Sequence, residues 1–555
     1  MVTGDSTDWV AVQRRKSRMR LVFLLLMALA TVGVALGQMA RKTAATEAHI
    51  ERWEALALEA DYGGLSMVVR EAGQVLGTEE RAPGTIAAVD SRAELLIYAL
   101  YTGRNAQRVR AHEALEIAIE REPLHPAVIA ADALWNALEG DPERALSLVE
   151  SAQLPGVLNE WGAVATAAAR TRTGDLAGAE RALQGHETPL ALAWRARSAW
   201  ESGDVDGAGA AAEKLLTLAP DHRYGDAMMK LVRSRSMAPK EARALLAPLV
   251  ESPDLPARVA EVVVVEVSRV LRRAGRGDDA DQLLNDFLAQ DDGAPFLLSE
   301  QARAHRFAGN FGAARAAADK GLRTRADDPQ LLAEFAAAAF FNDAVSTIED
   351  RTRKSHGASD SDGVRRAEAM VHLIQERGGP AAAGVAATRH LGLPGDAELW
   401  LAEAHLASGK PAEARKVAAQ AAEKLAAAVG ADSREVAIAQ MYEGLAAATD
   451  GDVEGGRAIL GTAWSPETRS PWGAWLFGRF HEQAGSLDDA RSAYLLACHN
   501  GQDFALGCYD LARLYDSLPG GSVRKRTQRE ARAQYLRVSP KGWRAVEVRD
   551  ALQGQ

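Results

Sequence analysis

A glycine followed five positions later by an alanine recurs along this chain, at Gly140/Ala145, Gly174/Ala179, Gly203/Ala208, Gly275/Ala280, Gly309/Ala314, Gly409/Ala414 and Gly485/Ala490. The steps are 34 residues from Gly140 to Gly174, 29 on to Gly203, and 34 again from Gly275 to Gly309 and from Gly451 to Gly485. The 72 residues from Gly203 to Gly275 hold two units, the middle one marked by Met237 and Ala242. Self-similarity at such a period means stacked supersecondary units, none of which buries its apolar side without its neighbours. Glycine accepts the left-handed conformation that closes a helix, and the Asp that often follows it caps the next one. The alanine lets two helices approach closely. Each unit therefore reads helix, tight turn, helix, and the expected fold is an all-α solenoid.

Length agrees with that reading. At 555 residues the chain exceeds what one compact core supports, whereas a solenoid grows in one dimension. Aromatics make up only 6% and alanine is abundant, a composition that favours helix over strand. Arginine outnumbers lysine 53 to 12, a bias we read as that of a GC-rich bacterial genome rather than of nucleic-acid binding, because the net charge is -10.

The N-terminus carries a different signal. Arg14, Arg15, Lys16, Arg18 and Arg20 precede an uncharged, mostly apolar run from Leu21 to Gly37, which ends before Arg41 and Lys42. Seventeen residues is the lower limit for a helix that spans a bilayer, and Ala35-Leu36-Gly37 also fits a signal-peptide cleavage site. The basic flank places the N-terminus in the cytoplasm and the rest of the chain across the membrane. Gly33 and Gly37 form a GxxxG pair, a candidate homodimer seam.

The repeats resemble the tetratricopeptide family, whose unit is a 34-residue helical hairpin with a large residue at position 4, small ones at 8 and 20, and proline at 32. In the stretch from Pro189 to His222, Leu192, Ala196, Gly203, Ala208 and Pro220 fall at positions 4, 8, 15, 20 and 32. The unit from Pro471 is similar, with Gly478, Gly485 and Ala490 at 8, 15 and 20. The segment from Ala497 to Gly501, followed by Cys508 to Tyr515, resembles the related Sel-one-like repeat. Some cysteine-rich exported members of that group bridge adjacent helices, which implies a Cys498 to Cys508 disulfide in an oxidising compartment; two buried small side chains are the other reading.

The expected organisation is a cytoplasmic basic tail over 1–20, a transmembrane helix over 21–40, a helical stalk or cap over 41–92, and a first half-solenoid over 93–350. A polar hinge over 351–363 leads to a second half over 364–555, which ends in a basic tail from Arg524 to Arg549. The four-valine run Val262 to Val265 favours strand by propensity, but its register places it in a helix.

No catalytic constellation stands out: HExxH, GxSxG and CxxC are absent from the sequence, and its histidines are scattered singly. We expect neither enzyme activity nor a cofactor. The resemblance implies that the first helix of each hairpin lines a concave binding face. Carried over, its inward positions place Arg197, Arg269, Arg272, Arg273, Arg303 and Arg306 in an arginine strip suited to an acidic peptide, a free C-terminus or an anionic polymer. Trp472, Trp475 and Arg479 form a second candidate partner patch.

The expected function is a scaffold anchored in the bacterial inner membrane. It would hold other envelope proteins on its periplasmic domain and contact the lipid bilayer through residues 21–40, with no nucleic-acid partner. The alternatives are a cleaved, exported binding protein for an anionic peptide or polymer, and an enzyme whose site is assembled from scattered helical residues.

Overall fold

The computed structural model describes residues 44–79, 82–102, 105–173, 175–202, 204–250, 257–289, 294–326, 328–355, 362–389, 391–465, 470–500, 503–518 and 522–553, with isolated positions before 44. The transmembrane reading of 21–40 and the Gly33/Gly37 seam lie outside the continuously described residues. Among the described residues, no helix is long and apolar enough to cross a membrane.

The helices run in antiparallel pairs. In chain order they are α1 (44–58) with α2 (Tyr62–Thr78), α3 (Gly84–Leu96) with α4 (Asn105–Arg121), α5 (Pro126–Leu138) with α6 (Pro142–Ala152), and α7 (Leu158–Arg172) with α8 (Leu176–Leu183). Then come α9 (Pro189–Ser202) with α10 (Val205–Leu218), α11 (Arg223–Ser236) with α12 (Pro239–Val250), and α13 (Ala257–Arg273) with α14 (Gly277–Leu288). They continue as α15 (Pro295–Ala308) with α16 (Phe311–Thr324), α17 (Pro329–Phe341) with α18 (Val345–Lys354), α19 (Asp362–Ile374) with α20 (Gly378–Ala387), and α21 (Asp396–Ala407) with α22 (Pro411–Val429). The last are α23 (Arg434–Thr449) with α24 (Val453–Ala463), α25 (Pro471–Gln483) with α26 (Leu487–Asn500), α27 (Ala505–Ser517) with α28 (Ser522–Val538), and the terminal α29 (Ala545–Gln553). A π-helical turn, Ile97–Thr102, extends α3. The valine run lies inside α13, as its register requires.

The glycine and alanine do what their chemistry suggests. Gly275, Gly309, Gly409, Gly451 and Gly485 all have φ between 67° and 98°. Each closes its helix with a paired backbone bond, as where Asn310 N–H reaches His305 O at 2.8 Å and Gly309 N–H reaches Arg306 O at 3.0 Å. The Asp after the glycine then caps the second helix: Asp141, Asp175 and Asp452 accept from Glu143, Gly178 and Gly455 N–H at 3.0, 2.8 and 2.9 Å. Ala145, Ala208, Ala242, Ala280, Ala314, Ala414 and Ala490 are all 0% exposed. Gly456 stands where the alanine would be because a Cβ there would meet Gly444 O at 2.5 Å, so this is the tightest variant of the same contact.

From α3 to α28, odd-numbered helices form an inner layer and even-numbered helices an outer one, while the terminal α29 buries only Ala545 and Val548. Every residue of α17 from Leu331 to Phe341 is buried, whereas α6 buries only Ala145. A helix that is apolar or small all round must be covered on every side, and the tertiary contacts show what covers the inner ones. Helix α13 packs on the π-turn after α3, and α15 packs on α23 and α25, four and five hairpins further on. The array therefore coils so tightly that successive turns touch and the inner helices fill the axis.

Two expected boundaries are corrected. The segment 41–92 is no separate stalk: α1 and α2 make a hairpin of the same kind, Trp53 is 2% exposed, and residue 92 falls inside α3. Nor does 351–363 divide the solenoid, since α17 packs directly on α19 and Ile348 and Val364 share one core. Its polarity comes from the helix ends it contains: residues 351–354 end α18, Asp362 opens α19 and pairs with Arg365 at 3.0 Å, and Ser355 Oγ donates to Ala326 O at 2.9 Å. Residues 356–361 lie outside the described residues.

Candidate functional site

The inner positions carry two interleaved ladders of charge. Arg235, Arg269 and Arg303 recur at 34 residues, as do Glu266, Glu300 and Glu334. Helix packing brings them together: Arg235 Nε lies 2.7 Å from Glu266 Oε1, Arg269 bridges Glu266 at 3.7 Å and Glu300 at 3.4 Å, and Arg273 lies 3.8 Å from Glu266. Arg303 pairs closely with Glu300 and reaches Glu435 on α23 at 3.3 Å. Arg306, 0% exposed, pairs with Glu334 and with Asp396 on α21, both at 2.8 Å. Burial works against its charge, but Asp396 and Glu334 outweigh that and hold its pKa above the usual arginine range.

Around Arg306 the axis is aromatic. Its guanidinium lies 4.5 Å from the Phe307 ring and 5.8 Å from those of Trp400 and Trp472, which stack at 5.7 Å. Phe341 packs edge-on against Trp472, and Phe504 edge-on against Phe311. Trp472 is 0% exposed, and Trp475, at 4%, donates Nε1–H to Asp510 at 2.7 Å. Arg479 lies over the Trp475 ring at 4.7 Å and holds Glu403 at 2.7 Å.

The expectation of an open arginine strip is therefore corrected for its central members. Arg303 and Arg306 serve as internal cations, Arg269 and Arg273 are spent on Glu266 and Glu300, and Arg272 meets Asp281 at 2.5 Å. Arg197 donates to Ala99 O at 2.8 Å across the coil and lies over the Trp194 ring. The Trp472/Trp475/Arg479 patch is likewise part of the filled axis. The repeat register placed all of these side chains inward, but the inside is occupied by the rest of the chain.

Sequence reasoning missed the acidic partners Glu266, Glu300, Glu334, Asp396, Glu403 and Glu435. A signal for three of them was present, because glutamate repeats with the same 34-residue step as arginine. Cys498 and Cys508 form a disulfide with their α carbons 4.6 Å apart, joining α26 to α27. Among the described residues, no group of three or more His, Cys, Asp or Glu is placed to hold a metal ion. A groove of ≈ 650 Å³ near α8 and α10 is bordered by Glu180, Arg195, Asp204 and Lys214.

No protein-family model matches the chain. No curated protein matches it either. Among solved structures, the chain is similar to the crystal structure of the APC/C hetero-tetramer Cut9-Hcn1, with 13% identity, 84% of this chain and 89% of that chain covered, and a TM-score of 0.41. The assignment as an array of tetratricopeptide-like hairpins rests on this chain's own turns, small-residue contacts and two-layer packing.

Proposed function

We propose that the protein is a scaffold of the bacterial envelope, anchored in the inner membrane by residues 21–40, which holds other proteins on the outside of a tightly coiled helical array. The carrying observation is the architecture itself: the inner helices are consumed in filling the axis, so the even-numbered helices and the inter-helix turns are the extended surface left for partners. The basic flank before Leu21 supports a cytoplasmic N-terminus, and GxxxG at Gly33 and Gly37 supports pairing of the anchors. The Cys498–Cys508 disulfide supports export to an oxidising compartment.

Crosslinking in intact cells, followed by purification of the tagged full chain from membranes, should yield a reproducible envelope partner in saturable ratio. The protein should stay in the membrane through alkaline carbonate extraction and keep its full mass. Release into the soluble fraction with residues 1–37 removed would support the exported binding protein instead. The absence of any stoichiometric partner would count against a scaffold.

A further inference from the structure

The C-terminal helices depart from the rest of the chain in charge. Residues 522–553 hold nine arginines and lysines against three carboxylates, in a protein whose net charge is -10. Between α28 and α29 the backbone is held from several sides. The buried Asp343 carboxylate, at the turn between α17 and α18, accepts from Tyr535 O–H at 2.5 Å, from Arg544 N–H at 2.8 Å and from Arg544 Nη1 at 2.6 Å. Asp343 O also accepts from Trp543 N–H at 2.9 Å, and Arg544 Nη2 reaches Glu376 at 2.8 Å.

Trp543 thus has a fixed backbone, yet its residue is 52% exposed, and Val546 one turn later is 64% exposed. Arg537 and Lys541, six and two residues before Trp543 in the chain, are exposed and meet no carboxylate among the described residues, while Arg549 is tied to Pro540 O at 3.0 Å. The nearby acids are Glu547, which accepts from Tyr509 O–H at 3.1 Å, and the exposed Asp550. A large aromatic on an already held backbone has only its side-chain rotamers to fix on docking, and tryptophan and arginine are among the residues most enriched at interface hot spots. Basic side chains around it select an acidic partner and speed its encounter.

We infer that Trp543 and Val546, flanked by Arg537 and Lys541, dock an acidic peptide segment that carries one bulky apolar residue. This rests on the scaffold reading and names the partner chemistry for one of its surfaces. A polypeptide fits better than a lipid surface, because the apolar run that would enter the bilayer leads into α1, at the opposite end of the array from α28 and α29.

The test uses the purified full chain in detergent and a short fluorescein-labelled peptide of aspartate and glutamate with one central phenylalanine, followed by anisotropy. Saturable binding that weakens with salt is expected. Trp543→Ala, and separately the double change Arg537→Glu with Lys541→Glu, should each weaken it about tenfold or more, while Trp543→Phe retains most of it. These side chains are largely exposed, so an unchanged melting temperature should accompany the loss. The site is overturned by equal binding in all variants, by equal binding of a peptide lacking the phenylalanine, or by capture on phosphatidylglycerol vesicles without binding of the peptide. A membrane pull-down that succeeds while the peptide fails overturns this site and leaves the scaffold standing; the reverse outcome overturns the scaffold.

Discussion

At Glu300, burial alone would raise the carboxyl pKa, but the guanidiniums of Arg303 and Arg269 outweigh it and hold the group at about 2. A folded pKa below the unfolded value adds stability above the unfolded pKa, and that stability is lost as pH falls through about 2. Glu300→Gln leaves the buried Arg303 and the partly buried Arg269 each short of a carboxylate, so a loss of about 3 kcal/mol is expected in urea unfolding at neutral pH. The gap from wild type should shrink between about pH 4 and pH 2. Asp90 has the opposite sign: burial and then the neighbouring Glu94 push its carboxyl up to about 7. Its stability is full below the unfolded pKa and is lost as pH rises through about 7, since ionisation there is costly. Asp90→Asn should therefore matter little near pH 4 and stabilise at pH 8, by up to ~4 kcal/mol. A difference in melting temperature that does not grow with pH would sink that account.

Among the elements, the inter-helix turns divide by what stands at the left-handed position. Most use glycine, but Asp343 with φ 54° and Glu376 with φ 60° occupy equivalent places, and Asp343 also closes its helix with paired backbone bonds. Both lie five residues before a buried small or apolar side chain, Ile348 and Ala381. They are the two turns on which Arg544 docks, so a side chain there outweighs the conformational advantage of glycine. At an ordinary left-handed site glycine relieves strain. Asp343→Gly should instead destabilise, by ~1–3 kcal/mol, because it strips partners from Tyr535 and Arg544. Limited proteolysis should then cut between α28 and α29, where the native chain resists.

For the whole molecule, coiling joins regions that an open solenoid would keep apart. Arg325 lies 3.5 Å from Glu139, and Asp343 holds Arg544 across a separation of 201 residues. An open array loses only the nearest neighbour when its end is removed. Here, removing residues 522–555 should lower amide-exchange protection in α17 and α19 as well as in α27. Protection unchanged beyond α27 would show that the turns of the coil do not support one another.

The sequence by itself determined the hairpins. Period, turn glycines, capping aspartates and contact alanines act between residues close in the chain, so each unit carries its own instructions. It also determined which side chains point inward. Whether that inside is open was decided only by the tertiary structure, because a small rotation between hairpins, summed over four or five of them, sets how tightly the coil closes. That closure turned an expected arginine strip into buried pairs with Glu266, Glu300, Glu334 and Asp396, some from distant helices. It also brought Arg544 onto Asp343 and left Trp543 exposed on a held backbone. No local pattern encodes such contacts, since a rotation of a few degrees per repeat leaves every hairpin's own chemistry unchanged.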